Sequence, residues 1–377
     1  MARRKADPGG RRLSEVCAAL GRIAPLSLAQ EWDNVGLLAG DLRATIRRVL
    51  LCIDLTAAVV DEAVAGKVDL VMAYHPPIFR PVSRLHGHGR GTDAHVFRCL
   101  AAGIGVYSVH TALDAADGGT NDVLAGLCGI EAAGPVESTE SGPGDFKVVV
   151  FVPQETADKV AGAMFEAGAG HIGDYEMCSY RVAGVGTFRG SDSTQPAIGQ
   201  AGRFERVREV RIESVTPRAA LPAVVAAIRR AHPYEEPSFD VYELSPGPVP
   251  GAGRYGMLPK PTTLAALARR LRKLTGSPCV QIVGTADHPV ARAIVCVGAA
   301  GSLPFKLPPT EQDVIVTGEI RHHDALTLQR YGATAIALGH WSSERPALAA
   351  LARRLGTLLP EVRVAVSEAD REPFGRA

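Results

Sequence analysis

Three short apolar runs in this sequence each end in a histidine, and that recurrence constrains the chain more than any other feature. VDLVMAYH (Val68–His75), IGVYSVH (Ile104–His110) and ATAIALGH (ending at His340) read as β-strands whose last residue is an imidazole. Two more runs end in carboxylates, RRVLLCID at Asp54 and DVIVTGE at Glu319. Helical patterns lie between them: TAAVVDEAVAGK, TDAHVFRCLAAG, GTNDVLAGLCG ended by Gly129, and segments around His323–Tyr331 and Arg345–Leu355. Strands alternating with helices predict parallel β-α-β units, buried on both faces. Ligands of such sheets bind outside the carboxyl ends of the strands, where polar loops leave the core undisturbed. Ionisable residues at five such ends therefore point to one polar site.

The alternation is interrupted. GPVESTESGPGD (Gly134–Asp145) and SPGPVPGAG (Ser245–Gly253) are polar, Pro/Gly-rich linkers. Between them the order changes to strand Phe146–Pro153, helix Thr156–Ala167, strands near Ser179–Phe188 and Arg206–Val215, helix Ala219–Ala231 and strand Phe239–Leu244. That β-α-β-β-α-β order is ferredoxin-like. The expected fold is thus α/β: one α/β domain in two halves, residues 1–134 and 253–377, with a ferredoxin-like α+β domain inserted at 145–250. The similar grammar of the two halves suggests an internal pseudo-repeat.

His110-Thr-Ala-Leu-Asp114 and His340-Trp-Ser-Ser-Glu344 each place a carboxylate four residues after a strand-end histidine. An imidazole and a carboxylate on one short loop or first helical turn can converge on a single ion. Mixed nitrogen and oxygen ligands suit zinc, manganese, iron, cobalt or nickel. Two carboxylates and several imidazoles exceed what one tetrahedral ion needs, and fit two divalent ions about 3.5–4 Å apart. After His75, Pro76-Pro77 stops the strand, and Arg80, Arg84, His86, His88 and Arg90 follow among glycines. This loop could bring an anionic group such as a phosphate to the metals, with Arg80 and Arg84 as the candidate contacts. GAAGS (Gly298–Ser302) is a weaker phosphate candidate. Glu319, His322 and His323 lie at one strand-to-helix turn, where one could act as general acid or base. AHPYEEP (Ala231–Pro237) in the insert is a candidate partner contact.

Composition excludes more than it proposes. A net charge of +1 and 5% aromatic residues offer neither a basic stripe nor a stacking platform for nucleic acid. No run is long enough to span a membrane, and no signal-peptide core follows the basic start, so the expected location is cytoplasmic. Seven scattered cysteines without a C-x-x-C pair read as buried, reduced thiols.

EWDNVGLLAGD (Glu31–Asp41), YHPPIFRP (Tyr74–Pro81), HTALDAADGGTND (His110–Asp122), TGEIRHHDA (Thr317–Ala325) and GHWSSERPAL (Gly339–Leu348) together resemble the Nif-three-like proteins, often described as GTP cyclohydrolase I type 2 homologs. AHPYEEPSFDVYEL and GAGRYGMLP resemble the end of the inserted domain in longer members. The resemblance implies a dinuclear metal site with His75, Asp114, His340 and Glu344 as ligands, and Tyr74, His110 and Glu319 beside them. Many relatives have a histidine where this chain has Tyr74, which leaves one ion a ligand short unless His110 or water compensates. The resemblance further implies a homo-hexameric ring and an insert similar to PII or CutA-like modules. Two functions follow. One is a metal-dependent hydrolase of a nucleotide or other phosphate compound, with His110 or His322 moving protons. The other is a non-catalytic metal-binding or regulatory scaffold.

Overall fold

The computed structural model of the 377-residue chain describes residues 9–138, 146–244 and 250–375. Its contacts divide it into two units, residues 1–140 with 248–377, and residues 141–247.

The first half of the divided unit runs β1 (Arg11–Arg12), α1 (Leu13–Ile23), β2 (Gly36–Ala39), β3 (Thr45–Ile46), β4 (Arg48–Cys52), α2 (Ala57–Ala65), β5 (Leu70–Ala73), α3 (Thr92–Ala101), β6 (Gly105–Ser108), α4 (His110–Ala115), α5 (Thr120–Cys128) and β7 (Glu137–Ser138). The chain then enters the second unit with β8 (Phe146–Pro153), α6 (Ala157–Glu166), β9 (Tyr180–Arg189), β10 (Phe204–Thr216), α7 (Leu221–Ala231) and β11 (Phe239–Glu243). It returns through β12 (Gly251–Ala252), β13 (Arg254–Thr263), α8 (Leu264–Thr275), β14 (Gln281–Val283), β15 (Pro289–Cys296), β16 (Asp313–Thr317), α9 (His322–Tyr331), β17 (Thr334–Ala337), α10 (His340–Glu344), α11 (Pro346–Leu358) and β18 (Arg363–Val366).

Each half of the divided unit builds a five-stranded sheet. The first has the order β18-β4-β5-β6-β2, with β4, β5, β6 and β18 parallel and β2 antiparallel at the edge. The second has the order β13-β15-β16-β17-β14, with β15, β16 and β17 parallel between antiparallel edges. Every residue of β5, β6, β16 and β17 is buried, as expected for near-continuous apolar strands covered on both faces. Local signals set the helices between them. Thr56 Oγ1 accepts the Val59 N–H at the start of α2, and Gly129 ends α5 at φ 76°, a conformation that suits glycine.

The element order repeats. Helix, edge strand, three parallel strands, short helix and long helix recur as α1-β2-β4-β5-β6-α4-α5 and as α8-β14-β15-β16-β17-α10-α11. The strand after each set then crosses over. β13, downstream of α5, joins the second sheet, and β18, after α11, joins the first. Strands β2 and β18 escape the sequence reading because they are four-residue edges whose burial is mostly partial.

The second unit forms an antiparallel sheet of order β11-β8-β10-β9, the ferredoxin-like arrangement. Val148, Val150, Val152 and Ile212 on one face of this sheet pack with Val160, Met164, Val224 and Ile228 of α6 and α7. Each such buried side chain contributes roughly 1.5–3 kcal/mol. Parts of the expected linkers are ordered ladders rather than loops. β7 pairs with β12, so the divided unit's structure continues past residue 134 and resumes before residue 253. The rest of both linkers, 139–145 and 245–249, lies outside the described residues. Four of the seven cysteines are buried and all are free thiols, but Cys279 is exposed. Among the described residues no helix is long and apolar enough to cross a membrane.

Candidate metal centre

The strands stop two residues before His75 and His110 and three before His340, yet the backbone ladder carries on. The Tyr74 and His75 N–H groups donate to Cys52 O and Ile53 O, and His110 N–H donates to Tyr74 O. Leu338 and Gly339 donate to Thr317 O and Gly318 O in the second sheet. The side chains that follow are therefore held as firmly as strand residues.

His75, His340 and Glu344 converge, with one ligand atom from each lying within 4.8 Å of the others. Glu344 is buried and sits between the two rings. Its Oε1 is 3.2 Å from His340 Nε2, and its Oε2 is 3.3 Å from His75 Nε2. Among the described residues Oε2 makes no aligned hydrogen bond, only the 3.3 Å approach to His75 Nε2, an arrangement that a cation would complete. The rings of His75 and His340 are 5.3 Å apart, and His110 stands 5.3 Å from His75 on the other side.

Each of the three imidazoles has its own carboxylate behind it. His75 Nδ1 lies 3.0 Å from Asp54, His340 Nδ1 lies 2.8 Å from Glu319, and His110 Nδ1 lies 2.8 Å from Asp33. With the proton on Nδ1 and donated to the carboxylate, Nε2 presents its lone pair inward. This is the way metal-ligating histidines are oriented. Asp33 is the residue the sequence reading missed. It also accepts the N–H and hydroxyl of Thr111; burial would raise its carboxyl, but His110 first and Thr111 second hold it below the usual range. The dense polar cluster Glu31-Trp32-Asp33-Asn34 ahead of an apolar strand was the signal available for it.

Charge follows this geometry. Burial favours a neutral His75, but Asp54 and Glu344 outweigh it and raise its pKa to about 10. Glu344 raises His340 to about 9 against burial, with Glu319 adding to the effect. Burial alone would raise Glu344, yet the two histidines bring it below its ordinary value. The pocket thus holds a buried anion flanked by groups that can carry positive charge, the place a divalent cation would take.

Asp114 and Tyr74 form a separate pair. The Tyr74 hydroxyl, fully buried, donates to Asp114 Oδ1. Burial lifts Asp114 to about 6 and pushes the Tyr74 phenol well above its usual range. His110 and Asp114 do not join the group of His75, His340 and Glu344, but they line the same cavity, of about 520 Å³, with His340 and Glu344. Trp32, Asn121, Lys306 and the loop Gly298–Ala300 form other parts of the wall. Gly298 has to be glycine. At φ 61°, a Cβ there would lie 2.4 Å from Glu344 Oε1 and 3.2 Å from His340 Nε2.

The other expected site residues lie elsewhere. Arg80 and Arg84 are exposed on the loop between β5 and α3 and do not line the cavity. His322 is exposed at the start of α9, edge-on to His323 at 5.4 Å, and is not part of the wall either.

A family model described as Duf34/NIF3 (NGG1p interacting factor 3) matches residues 11–373. The chain belongs to this family. A Mycobacterium tuberculosis protein named "GTP cyclohydrolase 1 type 2 homolog" is 39% identical over 340 residues, 89% of each chain. A Bacillus subtilis protein of the same name is 34% identical over 358 residues, covering 94% of this chain and 95% of that one. Among solved structures, a Bacillus cereus protein related to NIF3 superposes with a TM-score of 0.66 at 31% identity, covering 97% of this chain and 99% of that chain. The NIF3 fold therefore extends over both units, and the group of His75, His340 and Glu344 that could hold a metal ion lies in the divided one.

Proposed function

We propose that this NIF3-family chain is a metal-dependent hydrolase that binds two divalent ions and acts on a nucleotide or related phosphate compound. The observation that carries the reading is buried Glu344, with one oxygen lacking an aligned hydrogen bond, between two carboxylate-backed imidazoles at the wall of a 520 Å³ cavity. His75, His340 and Glu344 would hold one ion, and Asp114 would be a ligand of the second; the donor set suits zinc, manganese, iron, cobalt or nickel. A divalent ion held there supplies Lewis-acid polarisation of a carbonyl or phosphoryl oxygen. Asp33 keeps the His110 proton on Nδ1, so Nε2 is free to accept a proton in the cavity. That assigns proton transfer to His110 rather than to exposed His322. The relatives' printed name, GTP cyclohydrolase 1 type 2 homolog, supports a guanine nucleotide as the first substrate to try.

A second reading, a metal-binding scaffold without turnover, draws support from one observation. The Tyr74 hydroxyl already occupies an oxygen of Asp114, which weakens the second ion's ligand set. Elemental mass spectrometry of untagged protein, beside a hydrolysis screen of nucleotides and phosphate esters, separates the two. Near two ions per chain, with turnover abolished by chelation, supports the hydrolase. One ion and no turnover supports the scaffold. No ion after reconstitution would remove both.

A further inference from the structure

The inserted unit contains a cavity of about 510 Å³ lined only by its own residues. Phe151 of β8, Phe188 of β9 and Tyr234 after α7 give it aromatic walls, with the Phe188 and Tyr234 rings 5.9 Å apart and edge-on. Glu209 of β10 is the half-buried acid among them. One of its oxygens accepts the Tyr234 hydroxyl at 3.0 Å. The other lies against Gly186 of β9, where a Cβ would come within 2.0 Å of it. A side chain at 186 would fill the space this carboxylate uses.

The turn that carries Tyr234 is fixed in advance. His232 is buried, its Nε2–H donates to Phe151 O at 2.9 Å, and its Nδ1 accepts the Tyr234 N–H at 3.1 Å. Burial lowers the His232 pKa, so the neutral ring that both bonds require persists. A wall held this way loses little freedom when a ligand arrives.

Charge indicates what that ligand is. The lining holds three carboxylates, Glu209, Glu235 and Glu236, against one cation, Arg189. Glu236 is 3.8 Å from Arg229, Glu235 accepts the Gln195 N–H, and Arg189 Nε donates to Gly202 O. Arg211 lies over the Phe151 ring at 5.6 Å. Among the described residues Glu209 forms no ion pair with a lysine, arginine or histidine; the neutral phenol of Tyr234 is its hydrogen-bond donor. A carboxylate without a counter-ion beside aromatic faces is the setting in which an organic cation binds, through its charge on one side and ring faces on the other. A metal ion is a poor fit, since no metal-holding group of described side chains falls here.

We propose that this cavity binds an organic cation, an ammonium group on an apolar or aromatic body, with the ammonium on Glu209 and the body against Phe151, Phe188 and Tyr234.

The test is titration of the full-length protein with 2-phenylethylamine, with its neutral analogue 2-phenylethanol and with the anion 3-phenylpropionate, followed by ligand-observed NMR. Saturable binding of the amine at millimolar concentration, at least about tenfold tighter than the alcohol, is expected from a charge-assisted contact. Glu209→Gln, which keeps an acceptor for Tyr234, should reduce amine binding to the level of the alcohol. The wild-type comparison of amine with alcohol needs no variant to fold. Absence of saturable amine binding, equal binding of amine and alcohol, unchanged binding by Glu209→Gln, or preference for the anion would each overturn the proposal.

Discussion

The two halves of the divided unit use the same grammar and furnish different chemistry. Past β4, β5 and β6 the first half places Asp54, His75 and His110; past β15, β16 and β17 the second places Gly298, Glu319 and His340. One half is therefore rich in imidazole. The other brings the third imidazole, His340, and the α10 residue Glu344, the carboxylate that faces both His75 and His340, together with a glycine that leaves Glu344 room. The contrast is sharpest at the middle strand. Tyr74 fills its position in the first sheet and reaches Asp114, whereas the matching Gly318 leaves space for Ser343 and the His340 backbone, which a Cβ would approach to 2.7 and 2.9 Å. Two scaffolds of one element order, with different residues at their strand ends, bring a mixed set of nitrogen and oxygen donors together.

The largest effect should come from breaking that site where the halves meet. Glu344 faces His75 of the first half and His340 of the second, so Glu344→Gln removes the charge both imidazoles need. Metal affinity should fall by more than the roughly 10–100-fold seen when only a partner behind a ligand is lost. Isothermal titration with zinc or manganese measures it, and undiminished binding would mean the halves do not share an ion. Next in size is the glycine contrast. Gly298→Ala puts a Cβ into Glu344, but Gly301→Ala, at φ 56° with open space around it, adds only backbone strain of about 1–3 kcal/mol. Both should lower Tm; Gly298→Ala alone should also lose metal.

How much of this was legible follows from the same positions. His75 and His340 announce themselves because an ionisable group closing an apolar run has few structural reasons to be there, and Glu344 follows from its four-residue spacing after His340. The fold was legible for a related reason: strands such as LVMA and TAIA, buried on both faces, leave no alternative to parallel pairing within β-α-β units. Asp33 was not, because it approaches His110 across 77 residues from a segment without periodicity. The placement of Arg80, Arg84 and His322 was not either. Exposed loop and helix-start residues carry no packing pattern that says which way they face. The repeat was legible as strand-helix grammar and not as residue identity, because Tyr74 and Gly318, or Asp54 and Gly298, share a place but no chemistry.

A smaller effect tests whether the supporting carboxylates of the two halves are equivalent. Asp54 and Glu319 back His75 and His340 from similar, half-exposed positions. Asp54→Asn and Glu319→Gln should each weaken metal binding, by roughly tenfold, the low end for such partners. Losses that differ widely would show that one half dominates the site.

The smallest effect is on stability against pH, and its sign is fixed by the raised histidines. After the metal is stripped, His75 and His340 titrate at about 10 and about 9, above the ~6.5 of an unfolded histidine. Groups raised on folding contribute stability that is complete below the unfolded value and is lost as pH rises through the folded one. The Tm of stripped protein should therefore decline between about pH 6.5 and 10. Bound metal takes the place of those protons, so the loaded protein should show little decline there, and its affinity should rise with pH as protons are released. Calorimetry in buffers of different ionisation enthalpy counts them. A flat profile for stripped protein would mean that the first half's imidazole and the second half's acids do not pair until the metal joins them.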